Sequence, residues 1–155
     1  MRDDVHSSTI VGWREWVGLP GAGIPWIKAK LDTGARSSAL HAYEIDELPG
    51  DRVRFRVRPW QRAEEDVVVE CPVHDRRVVR SSSGHTEQRI VVLLPVQLSG
   101  ETVTAEVTLS NRDQMGFRML IGREALRQGF IVDPSASFLG GRAPREVRRK
   151  NRGRA

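Results

Sequence analysis

Apolar and polar residues alternate strictly through "DRVRFRVR" (51–58), setting Val53, Phe55 and Val57 on one face and arginines on the other. A period of two marks a half-buried strand. "PWIKAKL" (25–31), "SSALHA" (37–42), "QRIVVLLPVQL" (88–98) and "ETVTAEVTLS" (101–110) read as strands too, and "DVVVEC" and "RRVVR" flank a turn at "PVHD". Ser99-Gly100 separates two of these runs as a hairpin turn would. "STIVGWREWV" predicts a first strand pair, or one strand with a bend, before a loop at "LPGAGI". One helix is predicted, "GREALRQG" (122–129), with good helix formers between two glycines and the second placed as a stop. "FIVD" then reads as a closing strand. Many short strands with one late helix predict an all-β barrel or sandwich.

A length of 155 residues suits one domain. No run approaches the roughly 18 apolar residues of a membrane span, and "MRDDVHSSTIVGWREW" lacks the basic-then-apolar order of a signal peptide. The single cysteine, Cys71, cannot form an internal disulfide. The expectation is a cytoplasmic protein with no membrane partner.

The net charge of +5 is concentrated at one end. From Gly141 to Ala155 seven basic residues face Glu146 alone, so residues 1–140 are close to neutral. The expected organisation is a barrel domain over 1–140 and a basic, disordered tail over 141–155. Such arms are usually solvated, contact with nucleic acid being the lesser reading.

The chemistry centres on "KAKLDTGARSSAL" (28–40), where Asp32-Thr33-Gly34-Ala35 interrupts two apolar-alternating runs. Asp and Gly serve turns for their own sake, so Asp32 is either a turn residue or a carboxylate held for use. Two later elements bear on this: "VVRSSSGHTEQRIVV", two β-rich arms with a polar tip at Gly84, and "MLIGREAL" (119–126), an apolar pair, a glycine and a short helix.

In this order the elements resemble the retropepsin-like aspartic proteases, from about Ile24 to Val132. "GWREWV", "IKAKLDTGARSSALHA", "VRSSSGHTEQR" and "MGFRMLIGREAL" are similar to one bacterial family of that clan. Its members are often labelled ATP-dependent zinc proteases and are associated with the ligase that adds glutamates to a small-subunit ribosomal protein. The resemblance implies a small closed retropepsin-like β-barrel with one short C-terminal helix, acting as an aspartic endopeptidase. Aspartic proteolysis needs two carboxylates sharing one proton. The chain has one Asp-Thr-Gly, so the resemblance implies a homodimer with Asp32 from each subunit on the two-fold axis. Thr33 would brace the paired loops, and Gly34 would allow their approach. Ala35 and Arg36 would line the substrate cleft, and Ser82, Ser83, Gly84 and His85 would form a flap over it. Gly122 and Arg123 would support the loop from below.

Arg36 departs from the pattern, because retropepsins commonly carry an acid there to pair with the arginine at the position of Arg123. Glu124 or Asp113 is the ordinary partner to expect for Arg36. The functional alternative is a substrate carboxylate, which an arginine fork suits bidentately and which would favour acidic, glutamate-rich peptides. Neither word of the label finds its residues. Cys71-x-x-His74 is the only close ligand pair, with His85 and His41 distant, and no Gly-rich phosphate loop is present. No metal and no cofactor is expected. Ser81 to Ser83 with His85 lack a nucleophile-elbow pattern. The rival readings are a non-catalytic peptide-binding or dimerisation module on the same barrel, and a zinc hydrolase using Cys71, His74 and His85.

Overall fold

The computed structural model describes residues 8–60, 65–80, 83–111 and 117–152. Its strands are β1 (Thr9–Gly12), β2 (Arg14–Leu19), β3 (Ile24–Leu31), β4 (Ser38–His41), β5 (Tyr43–Leu48), β6 (Arg52–Val57), β7 (Val67–Pro72) and β8 (Asp75–Arg80). They continue with β9 (Thr86–Leu98), β10 (Glu101–Ser110), β11 (Met119–Ile121) and β12 (Phe130–Asp133), and the helices are α1 (Arg123–Leu126) and α2 (Arg145–Arg152).

The main sheet runs β10-β4-β11-β3-β2-β9-β8, and β10 pairs with β9 as well. Six strands therefore close on themselves, with β8 hanging outside on β9. Closure removes the unpaired edges that an open sheet presents, and the all-β barrel expected from the sequence is what forms. Ser99 (φ +51°) and Gly100 (φ +83°) are both left-handed, the conformation that a two-residue hairpin turn between twisted strands requires.

A second sheet, β5-β6-β7, covers the barrel. Val53, Phe55 and Val57 are fully buried, as their alternation demands. The outward arginines meet carboxylates of the flanking strands: Arg52 with Glu70 at 3.3 Å, Arg54 with Asp46 at 3.7 Å, Arg56 with Glu44 at 2.9 Å. Exposed pairs of this kind contribute about 0–1 kcal/mol each, so the apolar face holds the sheet and the charges fit its register. β5 is absent from the sequence reading because "YEIDEL" is too acidic to signal a strand alone; its acids pair with the arginines of β6.

Two expectations change. The predicted helix over 122–129 is α-helical only to Leu126. Gln128 N–H then bonds Ala125 O and Gly129 N–H bonds Leu126 O, a tightening to i→i−3 that delivers Phe130 directly into β12. The tail expected to be disordered carries α2 instead, up to Arg152. Ala143 and Asn151 are buried, Lys150 pairs with Glu65 at 3.0 Å, and its ammonium lies 4.9 Å from the Trp60 ring centre. Long cationic side chains pack their stems while keeping their heads in water, which is why a charge count alone misjudges the segment.

A buried acid anchors the strap that leads to α2. Glu15, fully buried on β2, accepts hydrogen bonds from the backbone N–H groups of Gly12 (2.6 Å), Leu139 (2.9 Å) and Gly140 (3.0 Å). Trp13 N–H to Ala136 O and Phe138 N–H to Arg14 O complete the seam at 2.9 and 3.0 Å.

Candidate active site

β3 and β4 follow each other in sequence but are not neighbours, because β11 lies between them, parallel to β3 and antiparallel to β4. The residues joining β3 to β4 must therefore arch over the end of β11, and those residues are Asp32 to Ser37. Asp32 N–H bonds Ile121 O at 2.8 Å, continuing the ladder past Leu31. The chain then reverses. Ala35 N–H bonds Asp32 O at 3.2 Å, and Gly34 N–H donates to Asp32 Oδ1 at 2.9 Å. This is the self-bonding turn that Asp favours, and it fixes the carboxylate on the outer side of the arch.

The underside is held by the residues that follow β11. A Cβ on Gly122 would lie 2.4 Å from Ser37 O, so only glycine lets the arch descend this close. Gly122 N–H donates to the buried Ser38 hydroxyl at 3.1 Å. Arg123 N–H bonds Ala35 O at 2.7 Å and Glu124 N–H bonds Arg36 O at 2.9 Å. The Arg123 guanidinium reaches back to Thr33 O at 3.1 Å and Gly34 O at 3.4 Å. Arg123, for which the resemblance implied an acid partner that Arg36 cannot be, grips turn carbonyls instead. Asp32, Thr33, Gly34, Ala35, Arg36, Gly122 and Arg123 form one bonded unit. Ser38, the buried hydroxyl that ties it together, escapes the sequence reading, since "SSAL" offers no signal beyond a strand.

Arg36 is exposed and has no ion pair among the described residues. Glu124, one of its two expected partners, is engaged elsewhere: its Oε1 accepts from Glu106 N–H at 3.0 Å. Asp113, the other, lies outside the described residues. So does Ser82. The hairpin β8–β9 carries the remaining flap candidates at its tip, all exposed, with Ser83 Oγ 3.2 Å from His85 Nδ1 and Gly84 at φ +88°. The hairpin stands off the core only towards its tip: Val78 on β8 is 70% exposed, while Val91, at the base of the β9 arm, is fully buried.

Among the described residues no three His, Cys, Asp or Glu side chains are grouped to hold a metal ion. His74 lies 3.7 Å from Glu106 instead. Burial pushes the Cys71 thiol up, away from the thiolate that a ligand or nucleophile needs. The same surface holds Glu106 well ionised, chiefly through the hydrogen bond from Arg77, which lowers its carboxyl below the usual range. No described helix is long and apolar enough to cross a membrane.

A family model described as "RimB-like: Retropepsin-like aspartic endopeptidase RimB" matches residues 10–143. A protein of Desulfotalea psychrophila named "Probable alpha-L-glutamate ligase" is 42% identical over 151 residues, covering 94% of this chain and 32% of its own length. A protein of the same name from Parasynechococcus marenigrum is 47% identical over 133 residues, 83% of this chain and 28% of its own. The chain spans about a third of the length of these curated relatives. The crystal structure of Lpg0085 from Legionella pneumophila, a protein of unknown function (DUF785), is 30% identical and superposes with a TM-score of 0.72 over 86% of this chain and 99% of that one.

Proposed function

The chain belongs to the RimB-like family of retropepsin-like aspartic endopeptidases, and we propose on that footing that it hydrolyses peptide bonds as a homodimer, using Asp32 from each subunit. The observation that carries this reading is the arch itself. Asp32 is fixed by Gly34 N–H and Ile121 O at the crest of a loop that Gly122 and Arg123 support from beneath. Thr33 and Gly34 beside it are exposed. Two carboxylates brought within about 3 Å cannot both ionise and so share one proton. The ionised Asp32 takes a proton from water as its oxygen attacks the peptide carbonyl carbon. The protonated Asp32 gives its proton to the carbonyl oxygen. In the collapse that follows, the amine leaves with a proton and the carboxylic acid forms.

An exposed apolar pair supports a second copy. β1 and β12 pair in parallel with Ile10 opposite Ile131, and both side chains are more than half exposed. Ser83, Gly84 and His85, with Ser82 before them, serve as the flap that shuts water out as substrate seats. Arg36, free of an acid partner among the described residues, favours acidic side chains in the cleft.

One observation favours a second reading. The relatives named as glutamate ligases carry this segment as about a third of their length, and there it would serve as a non-catalytic peptide-binding or dimerisation module, with Asp32 a turn carboxylate. A peptide-library digest with wild type and Asp32→Asn separates the two. Cleavage by wild type alone supports the peptidase. Equal cleavage by both overturns it, and peptide binding without cleavage by either selects the module.

A further inference from the structure

Apart from the Asp32 arch, the protein carries a cavity of about 300 Å³ under the C-terminal strap, walled by Trp16, Phe138, Arg14, Lys28, Arg142 and Arg148, with Asn151 of α2. None of these belongs to the arch, β11 or the flap hairpin. Three features set it apart from an ordinary surface hollow.

The first is its charge. Four cationic side chains line it, and no described carboxylate does. Arg14 donates to the Ser137 hydroxyl at 3.1 Å and Arg148 to Ala143 O at 3.0 Å. The guanidinium carbons of Arg14 and Arg142 lie 5.0 and 5.9 Å from the Phe138 ring centre. These contacts orient the arginines and leave their charge unopposed among the described residues. Elsewhere on this surface, by contrast, arginines on β6 and β8 meet acids.

The second is Asn151, 2% exposed, whose Oδ1 has no hydrogen-bond partner among the described residues. Leaving such a group unmatched costs about 1–3 kcal/mol, which a ligand oxygen that carries a proton, donating to Oδ1, would offset.

The third is Phe138, held at φ +55°. A bulky residue in the left-handed region is a genuine outlier, costing about 1–3 kcal/mol. It is kept there by Phe138 N–H to Arg14 O and by Glu15 gripping the next two amides. That posture stacks its ring on Trp16 at 6.4 Å and places it between the arginines.

We propose that this cavity binds the phosphoryl group of a small phosphorylated molecule. One carboxylate would engage a single arginine fork and leave the others unused, whereas a phosphoryl group brings a charge of about −1.5 to −2 and three acceptor oxygens suited to several forks at once. The volume is at the lower end for small-molecule sites, and the Trp16–Phe138 wall gives a flat group attached to the phosphate a surface to lie on. This reading is independent of peptide hydrolysis.

Calorimetric titration of the full chain, at constant ionic strength, with inorganic pyrophosphate, a nucleoside 5′-diphosphate and glutarate tests it. Saturable one-to-one binding of pyrophosphate, at least tenfold tighter than glutarate, is expected. Arg148→Ala and Arg142→Ala should each weaken it about tenfold, while Arg149→Ala, exposed on the same helix outside the cavity, should leave it within twofold. The nucleoside diphosphate binding tighter than pyrophosphate would assign the aromatic wall to a base; equal binding would assign the site to the phosphoryl group alone. Glutarate matching pyrophosphate, no saturable binding, or equal losses in Arg149→Ala and Arg148→Ala would each overturn the proposal. Circular dichroism of the variants excludes unfolding as the cause.

Discussion

Gly122 passes so close beneath Ser37 that a single added carbon would sit 2.4 Å from its carbonyl oxygen and 2.6 Å from its carbonyl carbon. The contact is backbone on both sides, so no rotamer change can relieve it. Gly122→Ala should destabilise the fold by about 1–3 kcal/mol, as overpacking does, and lift the Asp32 arch. Urea unfolding checks the first effect and the rate of peptide cleavage the second.

Arg123→Ala removes the two bonds to Thr33 O and Gly34 O while its backbone bond to Ala35 O survives. The turn would then hold Asp32 less firmly in place. A displacement near 1 Å costs about 10²-fold in rate, so kcat should fall steeply with KM little changed. Arg123→Lys, with a point charge where a fork is needed, should recover only part of it. Stability by thermal melting should move far less than kcat.

Ile131→Lys places a charge on the exposed apolar pair of β1 and β12. The strand pairing is backbone-made and should persist. Self-association should be lost in sedimentation velocity, and cleavage with it, since a lone Asp32 has no second carboxylate. An Ile131→Lys variant that still cleaves as a monomer would remove the two-carboxylate mechanism.

Arg36→Ala tests the substrate preference. The side chain is exposed with no ion pair among the described residues, so stability should be unchanged. The ratio of kcat/KM for acidic over neutral peptides should fall about tenfold. An unchanged ratio would return Arg36 to the solvated surface.

Glu106 supplies a pH test. Its carboxyl is lowered chiefly by the Arg77 hydrogen bond, with His74 also facing it and Asp75 on the far side of Arg77. A lowered folded-state value means stability that is present above the ordinary glutamate range and lost as pH falls through the folded value. Glu106→Gln should therefore cost up to about 1 kcal/mol near neutrality, and that gap should close as the pH is lowered past the carboxylate range. Melting temperatures from pH 7 to 3 would follow it.

What can be read ahead of the structure follows from where the information lies. Local pattern carries β6 and β10, because one buried face leaves a period of two, and Ser99-Gly100 announces the hairpin by its own conformational needs. The Asp32 arch is legible as a motif, yet its wiring is not. That Arg123 would hold Thr33 and Gly34, or that Ser38 would bond Gly122, depends on β11 threading between β3 and β4, which no local window contains. Nothing within "GWREWV" marks Glu15 as an anchor, since residues 139 and 140, which bond it, lie far along the chain. The tail misleads for the opposite reason: its charge suggests solvent, while Ala143 and Asn151 find the interior.

Glu15 also bears on where this protein's folding unit ends. Every barrel strand is complete by Asp133, and a chain cut there would keep its full ladder of strand pairings. It would also leave the Glu15 carboxylate with one of its three amide donors, Gly12, the other two having gone with Leu139 and Gly140. Losing those two bonds, together with the chain that covers the carboxylate, takes stability from the strands around it. The cooperative unit is therefore longer than the barrel it encloses, and extends at least to the residue that closes the clasp, Gly140.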